Sequence, residues 1–237
     1  MFAFHDRSGR VEVAFTDRHG RSGEPLNLAL PGSAPAEVAP PEAGLRAVAE
    51  ELGLSGPVVG LRQVHGGDVV PVDASYDGSE IVADALVTAE PELTLLVRAA
   101  DCVPLLLADT DAGVIGAAHA GRPGVVAGVV PHTVAAMREL GASEITAWVG
   151  PHVCGRCYEV PEEMRAEVAA SVPETWAETS WGTPALDIGA GVRAQLAADG
   201  VAVTEVERCT IEDDALWSHR RQGAGAGRLG GLIRIVR

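Results

Sequence analysis

Three short segments of the chain each carry a residue type that could bind a metal ion. They are LRQVHGGDVV around His65, ADCVPLLLAD around Cys102 and AAHAGRPG around His119. In each segment an apolar run predicts a buried strand, and the ligand lies where that strand meets a turn. A strand end fixes the position of a side chain and a turn leaves its tip accessible, which is what a ligand requires.

Two imidazoles and one thiolate form a donor set that zinc prefers, and that copper accepts to a lesser degree. Three protein ligands would leave the fourth tetrahedral position open, as in catalytic sites. Asp101 is expected to accept a hydrogen bond from a ligand imidazole. Each segment alone also fits a plain structural role, either as a polar turn or as a small core cysteine. Together His65, Cys102 and His119 predict a metal site.

A second cysteine motif, HVCGRC, contains Cys154 and Cys157 after His152. It could be half of a zinc site or a redox pair. A second CxxC is missing from the sequence, and a thioredoxin-like pair should follow a strand and open a helix. We therefore interpret the motif as a tight turn that catalysis does not need.

The charge of the chain limits its partners. The formal net charge is −15, and all 18 basic residues are arginine. Schiff-base chemistry and a Walker-type phosphate loop both need lysine and are excluded. An acidic surface repels polyanions, so we expect no nucleic-acid partner. An anionic small substrate would need a local cluster of arginines.

Two glycine-rich stretches offer such arginines. WSHRRQGAGAGR carries Arg220, Arg221 and Arg228, and TDRHGRSGEPLNLAL carries Arg18 and Asn27. The planar guanidinium group matches two oxygens of a phosphate or carboxylate. We therefore predict these five residues as substrate ligands, with solvated charged loops as the alternative.

The elements that must position these residues alternate irregularly along the chain. Apolar runs predict strands over 11–15, 58–64, 69–72, 93–98, 104–108, 114–118, 145–149, 201–207 and 232–235. Helices are predicted over 42–52, 125–140, 162–171 and 188–199, and a Pro/Ala-rich loop over 31–43. Strands outnumber helices, which favours a mixed α/β fold over a doubly wound sheet. We expect residues 1–237 to form one domain.

The location of the protein is also an expectation from sequence. The chain has no apolar run long enough to span a bilayer. The N-terminal MFAFHDRSGR lacks the apolar core of a secretory signal. We expect a cytoplasmic protein with no membrane partner, in which cysteines stay reduced.

Read in chain order, these segments resemble one known family. The matching stretches run from near residue 17 to residue 228 and include RHGRSGEPLNL, QVHGGDVV, ADALVT, ADCVPLLLAD, AAHAG, GPHVCGRCYEV and CTIEDDALWSHRRQGAGAGR. They resemble the YfiH-like family, also called the laccase-domain or multicopper polyphenol oxidase family. The combination of QVHG, ADCVP and HAG is the most specific part of the resemblance.

The resemblance implies a layered sandwich of β-sheets flanked by helices, and a monomeric cytosolic enzyme. It implies that His65, Cys102 and His119 bind zinc and are catalytic. The implied reaction is purine nucleoside phosphorolysis, in which adenosine, inosine or methylthioadenosine reacts with phosphate to give the base and ribose 1-phosphate. Adenosine deamination is an implied companion activity. One departure stands out, because the family's usual HAGWRG reads HAGRPG here, with Arg122 and Pro123.

Three other functions remain open. A copper-dependent polyphenol oxidase needs a blue-copper site and a histidine-rich trinuclear cluster, and seven histidines are too few. A cysteine hydrolase would use Cys102 as nucleophile and His119 as base on an amide such as a cell-wall precursor. A metal-stabilised binding module is the third, and an open coordination position argues against it.

Overall fold

A computed structural model describes residues 1–30 and 40–236. Its strands are β1 (Phe2–Ser8), β2 (Val11–Thr16), β3 (Val58–Gly60), β4 (Val69–Pro71), β5 (Ala85–Thr88), β6 (Thr94–Ala99), β7 (Val103–Asp109), β8 (Val114–Ala120), β9 (Thr146–Val149), β10 (Trp176–Glu178), β11 (Pro184–Leu186), β12 (Ala202–Glu205) and β13 (Leu229–Ile235). Its helices are α1 (Pro41–Leu52), α2 (Arg122–Val126), α3 (Val129–Glu139), α4 (Glu162–Ser171), α5 (Ile188–Ala198) and α6 (His219–Gln222), with 3₁₀ turns at Pro173–Thr175 and Gly223–Gly225.

Two sheets pack face to face between helices. One has the strand order β1-β2-β13-β6-β3 and the other β12-β9-β7-β8-β5-β4, while β10 and β11 form a separate hairpin. One apolar cluster fills the space between the two sheets. A second lies between the six-stranded sheet and helices α3, α4 and α5, and a third lies between the five-stranded sheet and α1. The predicted mixed α/β sandwich is confirmed.

Strand β7 shows why the central strands are apolar throughout. Leu105 and Leu107 belong to the cluster under the helices. Leu106 and Ala108 belong to the cluster between the sheets. Successive side chains of a strand point to opposite faces, so a strand covered on both sides needs apolar residues at every position. The run VPLLLAD meets that requirement.

Some predicted elements have different bounds in the structure. The predicted helix 125–140 is two helices, α2 and α3, which are separated at Gly128 with a left-handed φ of 80°. Pro131 lies in the first turn of α3, where backbone N–H groups have no partner within the helix and proline costs little. The predicted strand 58–64 stops at Gly60, and Arg62 forms only an isolated bridge to Val82.

Four strands had no sequence prediction, namely β1, β5, β10 and β11. Strand β1 is the edge of its sheet and all of its residues are at least partly exposed, so it lacks an apolar pattern. The predicted loop 31–43 lies outside the described residues over 31–39, and residues 41–43 begin α1. In the described ranges no helix is long and apolar enough to cross a membrane.

Candidate functional site

The register of the six-stranded sheet brings two of the predicted ligands together. Strands β7 and β8 are antiparallel, with Pro104 opposite His119 and Val103 opposite Ala120. Cys102 immediately precedes β7, so it lies next to the end of β8 that carries His119. Strand β5 pairs with β8 on the other side, and the His119 N–H donates to the Asp84 carbonyl oxygen at 2.7 Å. Asp84 is thereby held beside His119.

His65 reaches the same place from a turn and not from a strand end. Its φ is 61°, which is uncommon for a residue with a side chain. The Asp84 carboxylate accepts hydrogen bonds from the backbone N–H groups of Val64, His65 and Gly66, at 3.1, 2.9 and 2.7 Å. These three bonds stabilise the unusual backbone conformation and aim the imidazole at Cys102. The expectation that His65 ends a strand was therefore wrong.

The three side chains form a compact donor cluster. Their donor atoms all lie within 4.8 Å of one another, and Cys102 Sγ is 3.8 Å from His65 Nε2. His119 is buried, Cys102 is half-buried and His65 is exposed, so the cluster is open on one side. The His119 Nδ1 lies 2.8 Å from Asp84 Oδ1, which leaves Nε2 to bind a metal ion. The geometry fits a metal site with one open position.

Asp84 is the residue that sequence reasoning missed in this cluster. Asp101 was expected to accept the imidazole hydrogen bond, and that expectation was wrong. Asp101 instead accepts from the Thr210 hydroxyl at 2.6 Å and from the Arg220 N–H at 2.7 Å. Asp84 is completely buried. The available signal was an aspartate inside the apolar stretch ADALVT, where a charge needs a specific partner.

The cluster strongly perturbs its own protonation. Burial raises the pKa of the Cys102 thiol, but hydrogen bonds from His119 and His65 outweigh it and lower the pKa to about 6. Burial lowers the pKa of His119, and hydrogen bonds to Asp84 and Cys102 outweigh it and raise the pKa to about 9. The lowered pKa favours the thiolate form of Cys102 at neutral pH. The thiolate is the form that binds metal ions and acts as a nucleophile.

The surroundings of Gly121 show why a glycine follows His119 and Ala120. A Cβ atom there would lie 2.7 Å from His65 Cδ2 and 3.1 Å from Cys102 Sγ. Its φ of −79° is ordinary, so lack of space and not backbone conformation requires glycine. Any side chain at this position would push the donor atoms apart.

A cavity of about 740 Å³ opens over the cluster. This volume suits a small-molecule ligand. Its apolar lining includes Leu61, Val153, Tyr158 and Ile188. Four guanidinium groups also line it, those of Arg98, Arg122, Arg220 and Arg228. The cavity therefore combines an apolar wall with a concentration of positive charge in an acidic protein.

Two of the predicted substrate ligands reach this cavity. The Arg220 guanidinium lies over the Tyr158 ring at 4.7 Å, and its Nη1 donates to the Glu159 carbonyl. The Arg228 Nη1 donates to the carbonyl oxygens of Ala226 and Gly227 in its own loop. These contacts fix both side chains at the cavity wall.

The other three predicted ligands do not line the described cavity. Arg221 donates to the carbonyl oxygens of Ile211, Asp213 and Leu216, so it binds together its own loop. Asn27 is buried, and its Oδ1 accepts from the N–H groups of Ala29 and Arg228. Arg18 packs against the Trp217 ring at 5.6 Å. Their contacts are those of residues that hold the loops around the cavity.

Sequence reasoning also missed Arg98, which lies within the apolar strand β6. Its Nε donates to the Leu28 carbonyl at 2.5 Å, and Gln63 binds both its N–H and its carbonyl. Burial lowers the pKa of Arg98 to about 10, so it keeps its charge at neutral pH. The arginine within the apolar segment LTLLVRAA could have indicated this role. A buried strand rarely contains a charged side chain unless that charge is paired or functional.

Arg122 stands where the sequence HAGRPG departs from the HAGWRG pattern that the resemblance implies. It lies at the start of α2 and lines the cavity together with Pro123. Within residues 1–30 and 40–236, its guanidinium has no hydrogen-bond or ion-pair partner. It is therefore able to bind an anion in the cavity without breaking another contact.

The chain matches one family model over most of its length and is similar in sequence to several named proteins. The family model described as "Multi-copper polyphenol oxidoreductase laccase" matches residues 12–236. The chain is 53% identical over 234 residues to purine nucleoside phosphorylase ORF3 of Streptomyces griseus, with 95% of each chain covered. It is 50% identical over 245 residues to purine nucleoside phosphorylase SCO2081 of Streptomyces coelicolor, covering 98% of this chain and 99% of the relative.

A solved structure extends the comparison to the fold. The crystal structure of YlmD from Geobacillus stearothermophilus matches with a TM-score of 0.84 and 30% sequence identity. The match covers 96% of this chain and 93% of that one.

Proposed function

The chain belongs to the multi-copper polyphenol oxidoreductase laccase family, and we propose that within it the protein is a zinc-dependent purine nucleoside phosphorylase. The observation that carries the proposal is the open His65–Cys102–His119 cluster at the base of an arginine-lined cavity. The names of the relatives at about half identity support the same activity. The reaction would convert adenosine, inosine or methylthioadenosine and phosphate into the base and ribose 1-phosphate.

Zinc is the metal that the donor set supports best in this proposal. Imidazole and thiolate groups are typical zinc ligands, and catalytic zinc sites combine three protein ligands with a fourth, open position. A polyphenol oxidase would need further copper ions on a histidine-rich cluster. Within the described residues, His219 is the only other histidine that lines the cavity. Zinc bound here would supply Lewis acidity, towards phosphate in phosphorolysis or towards water in a companion adenosine deamination.

The cavity can hold both substrates. Phosphate must lie beneath the sugar carbon that it attacks, and only local positive charge can retain it in a protein of net charge −15. Of the four arginines that line the cavity in the described residues, Arg122 is the one whose guanidinium has no hydrogen-bond or ion-pair partner, and Arg98, Arg220 and Arg228 add charge around it. The apolar wall with Tyr158 offers the purine a surface for stacking. Nucleoside and phosphate are therefore the small-molecule partners that we infer.

We also infer that the protein acts as a cytoplasmic monomer without nucleic-acid or membrane partners. Its acidic surface supports the exclusion of nucleic acids.

The test is a nucleoside panel assayed with and without phosphate. We expect inosine, adenosine or methylthioadenosine to release free base in a phosphate-dependent manner. The Arg122→Gln variant should raise the KM for phosphate about tenfold, as loss of about 1.4 kcal/mol of binding would do. The Arg7→Gln variant is the matched control, because Arg7 lies on the exposed edge strand β1. Equal release of base without phosphate would contradict phosphorolysis.

A separate prediction concerns the HAGRPG departure. The double variant Arg122→Trp with Pro123→Arg restores the family's usual pair. We expect unchanged zinc content, because neither side chain is a zinc ligand, and a changed apparent affinity for nucleoside or phosphate. Metal analysis and steady-state kinetics on the same preparation decide the matter. A change in zinc content with unaltered kinetics would contradict the assignment.

A cysteine hydrolase is the second candidate, and one observation favours it. Cys102, His119 and Asp84 form the chain of nucleophile, base and orienting carboxylate that such enzymes use. This arrangement does not need a metal ion to hold the Cys102 thiolate. Amide cleavage that persists after chelation of zinc, without turnover of any purine nucleoside, would favour the hydrolase.

A further inference from the structure

A second group of metal-binding side chains lies outside the cavity. Cys154, Cys157, Cys209 and Glu212 each offer one donor atom, and all four atoms lie within 4.8 Å of one another. The CGRC motif is therefore not an isolated pair. The spacing of cysteines in the sequence does not indicate the third cysteine, because Cys209 stands alone in a distant segment.

Backbone pairing places Cys209 beside the CGRC motif. His152 and Cys209 form an isolated parallel bridge. The Thr210 N–H donates to the His152 carbonyl at 3.0 Å, and the His152 N–H donates to the Arg208 carbonyl at 3.3 Å. The Cys154 N–H then donates to Cys209 Sγ at 3.4 Å. Cys209 is thus fixed by backbone contacts, and its sulfur accepts an N–H.

The CGRC segment itself is the tight turn that the sequence suggested. The N–H groups of Cys157 and Tyr158 both donate to the Cys154 carbonyl, at 3.0 and 3.1 Å. A Cβ at Gly155 would lie 2.7 Å from Asp187 Cβ, so the turn packs closely against the start of α5. The turn brings Cys154 and Cys157 to the same side, where both sulfurs face Cys209 and Glu212.

We propose that Cys154, Cys157, Cys209 and Glu212 bind a second zinc ion in a closed structural site. Three thiolates and one carboxylate fill all four positions of a tetrahedral zinc ion. With zinc–sulfur bonds of about 2.3 Å, donors of such a site lie about 3.8 Å apart. The observed spacing needs a contraction of only about 1 Å at most, which side-chain rotation can supply. The inference does not depend on the proposed enzymatic activity.

The second zinc ion would stabilise one wall of the cavity. Tyr158 follows Cys157 directly, and the Arg220 guanidinium stacks over the Tyr158 ring. Thr210 follows Cys209 directly, and its hydroxyl donates a hydrogen bond to Asp101. Asp101 also accepts a hydrogen bond from the Arg220 N–H. Zinc would therefore bind together the two segments that present Tyr158 and Arg220 to the cavity, without contributing an open coordination position.

The test is the zinc content of protein purified in reducing, chelator-free buffer. We expect two zinc ions per chain in the wild type. The Cys102→Ser and Cys209→Ser variants should each retain one, and the combined variant none. Glu212→Gln should weaken the second site, whereas Glu207→Gln should keep two ions, because Glu207 lies nearby but outside the cluster. A zinc content that is the same in the wild type and in Cys209→Ser would overturn the proposal.

A titration of the wild type keeps the test decisive if Cys209→Ser does not fold. An organomercurial reagent is added stepwise, and released zinc is followed with a metallochromic dye. We expect all four thiols to react, with two zinc ions released per chain. A disulfide among Cys154, Cys157 and Cys209 would leave only two reactive thiols and release one zinc ion, which would contradict the proposal. Neither readout uses enzyme activity, so failure here leaves the proposed function intact.

The double variant Cys154→Ala with Cys157→Ala separates structure from catalysis. We expect one zinc ion per chain, a Tm lower by about 5 °C or more, and retention of most activity at saturating substrates. The reason is that the pair lies outside the catalytic cluster but binds its supporting loops together. Unchanged Tm and zinc content would contradict the second site.

Discussion

Replacement of Cys102 by serine is expected to remove the metal ion of the His65–Cys102–His119 cluster and to lower kcat about 10³-fold or more. Serine is close in size, but its hydroxyl does not ionise near neutral pH. The wild-type thiol has a pKa of about 6, because hydrogen bonds from His119 and His65 outweigh its burial. The variant therefore loses the anionic donor without losing much packing. Metal analysis and phosphorolysis rates measure the two losses.

The matched control is Cys157→Ser, the same substitution in the second cysteine cluster. It should keep the metal ion bound by His65, Cys102 and His119 and most of the activity. Circular dichroism should show that both variants are folded. A Cys102→Ser protein with full zinc content at this cluster and near wild-type kcat would contradict the assignment of Cys102.

Asp84→Asn is expected to reduce metal affinity or activity by about 10–100-fold. The Asp84 carboxylate accepts the His119 imidazole and three backbone N–H groups of the His65 turn. An amide has one carbonyl oxygen and carries no charge, so it cannot replace all of these bonds. Asp84 is not one of the three donor residues and does not line the described cavity, so it acts as a positioning residue. Competition with a zinc chelator measures the affinity, and Asp68→Asn, at an exposed position after the same turn, is the control.

The same substitution should change the dependence of stability on pH. Burial raises the pKa of Asp84, but the hydrogen bonds from His119 and the turn outweigh it and leave the pKa below its usual 3.8. A carboxyl whose pKa falls on folding contributes stability above its unfolded pKa and loses it as the pH falls through the folded value. The Tm difference between wild type and Asp84→Asn should therefore be present at neutral pH and shrink below about pH 4. A constant difference across this range would contradict the role of the charge.

The sequence predicted the parts of the fold that are specified locally. The strands β7 and β8 are apolar at almost every position because both of their faces are buried. Helix α5 follows from the Asp187 N-cap and the apolar face after it. The ligands Cys102 and His119 were recognisable because they stand at the ends of these runs.

The parts that sequence reasoning missed depend on contacts between distant segments. Asp84 meets His119 only through the pairing of β5 with β8. Cys209 is placed beside Cys154 by an isolated bridge between His152 and Cys209, which leaves no periodic pattern in the sequence. Arg220 and Arg221 stand side by side in the same glycine-rich segment, so the sequence does not distinguish their roles. Only their tertiary contacts show that Arg220 reaches the cavity wall and that Arg221 binds its own loop. Local spacing carries no information about such pairings.

Phosphorolysis is tested by the mass of the sugar product when the protein turns over inosine in ¹⁸O-labelled water with unlabelled phosphate. In phosphorolysis a phosphate oxygen bonds to the sugar carbon as the bond to the purine nitrogen breaks. We therefore expect hypoxanthine and unlabelled ribose 1-phosphate in equal amounts. Free ribose as the sugar product, formed with or without phosphate, would contradict it.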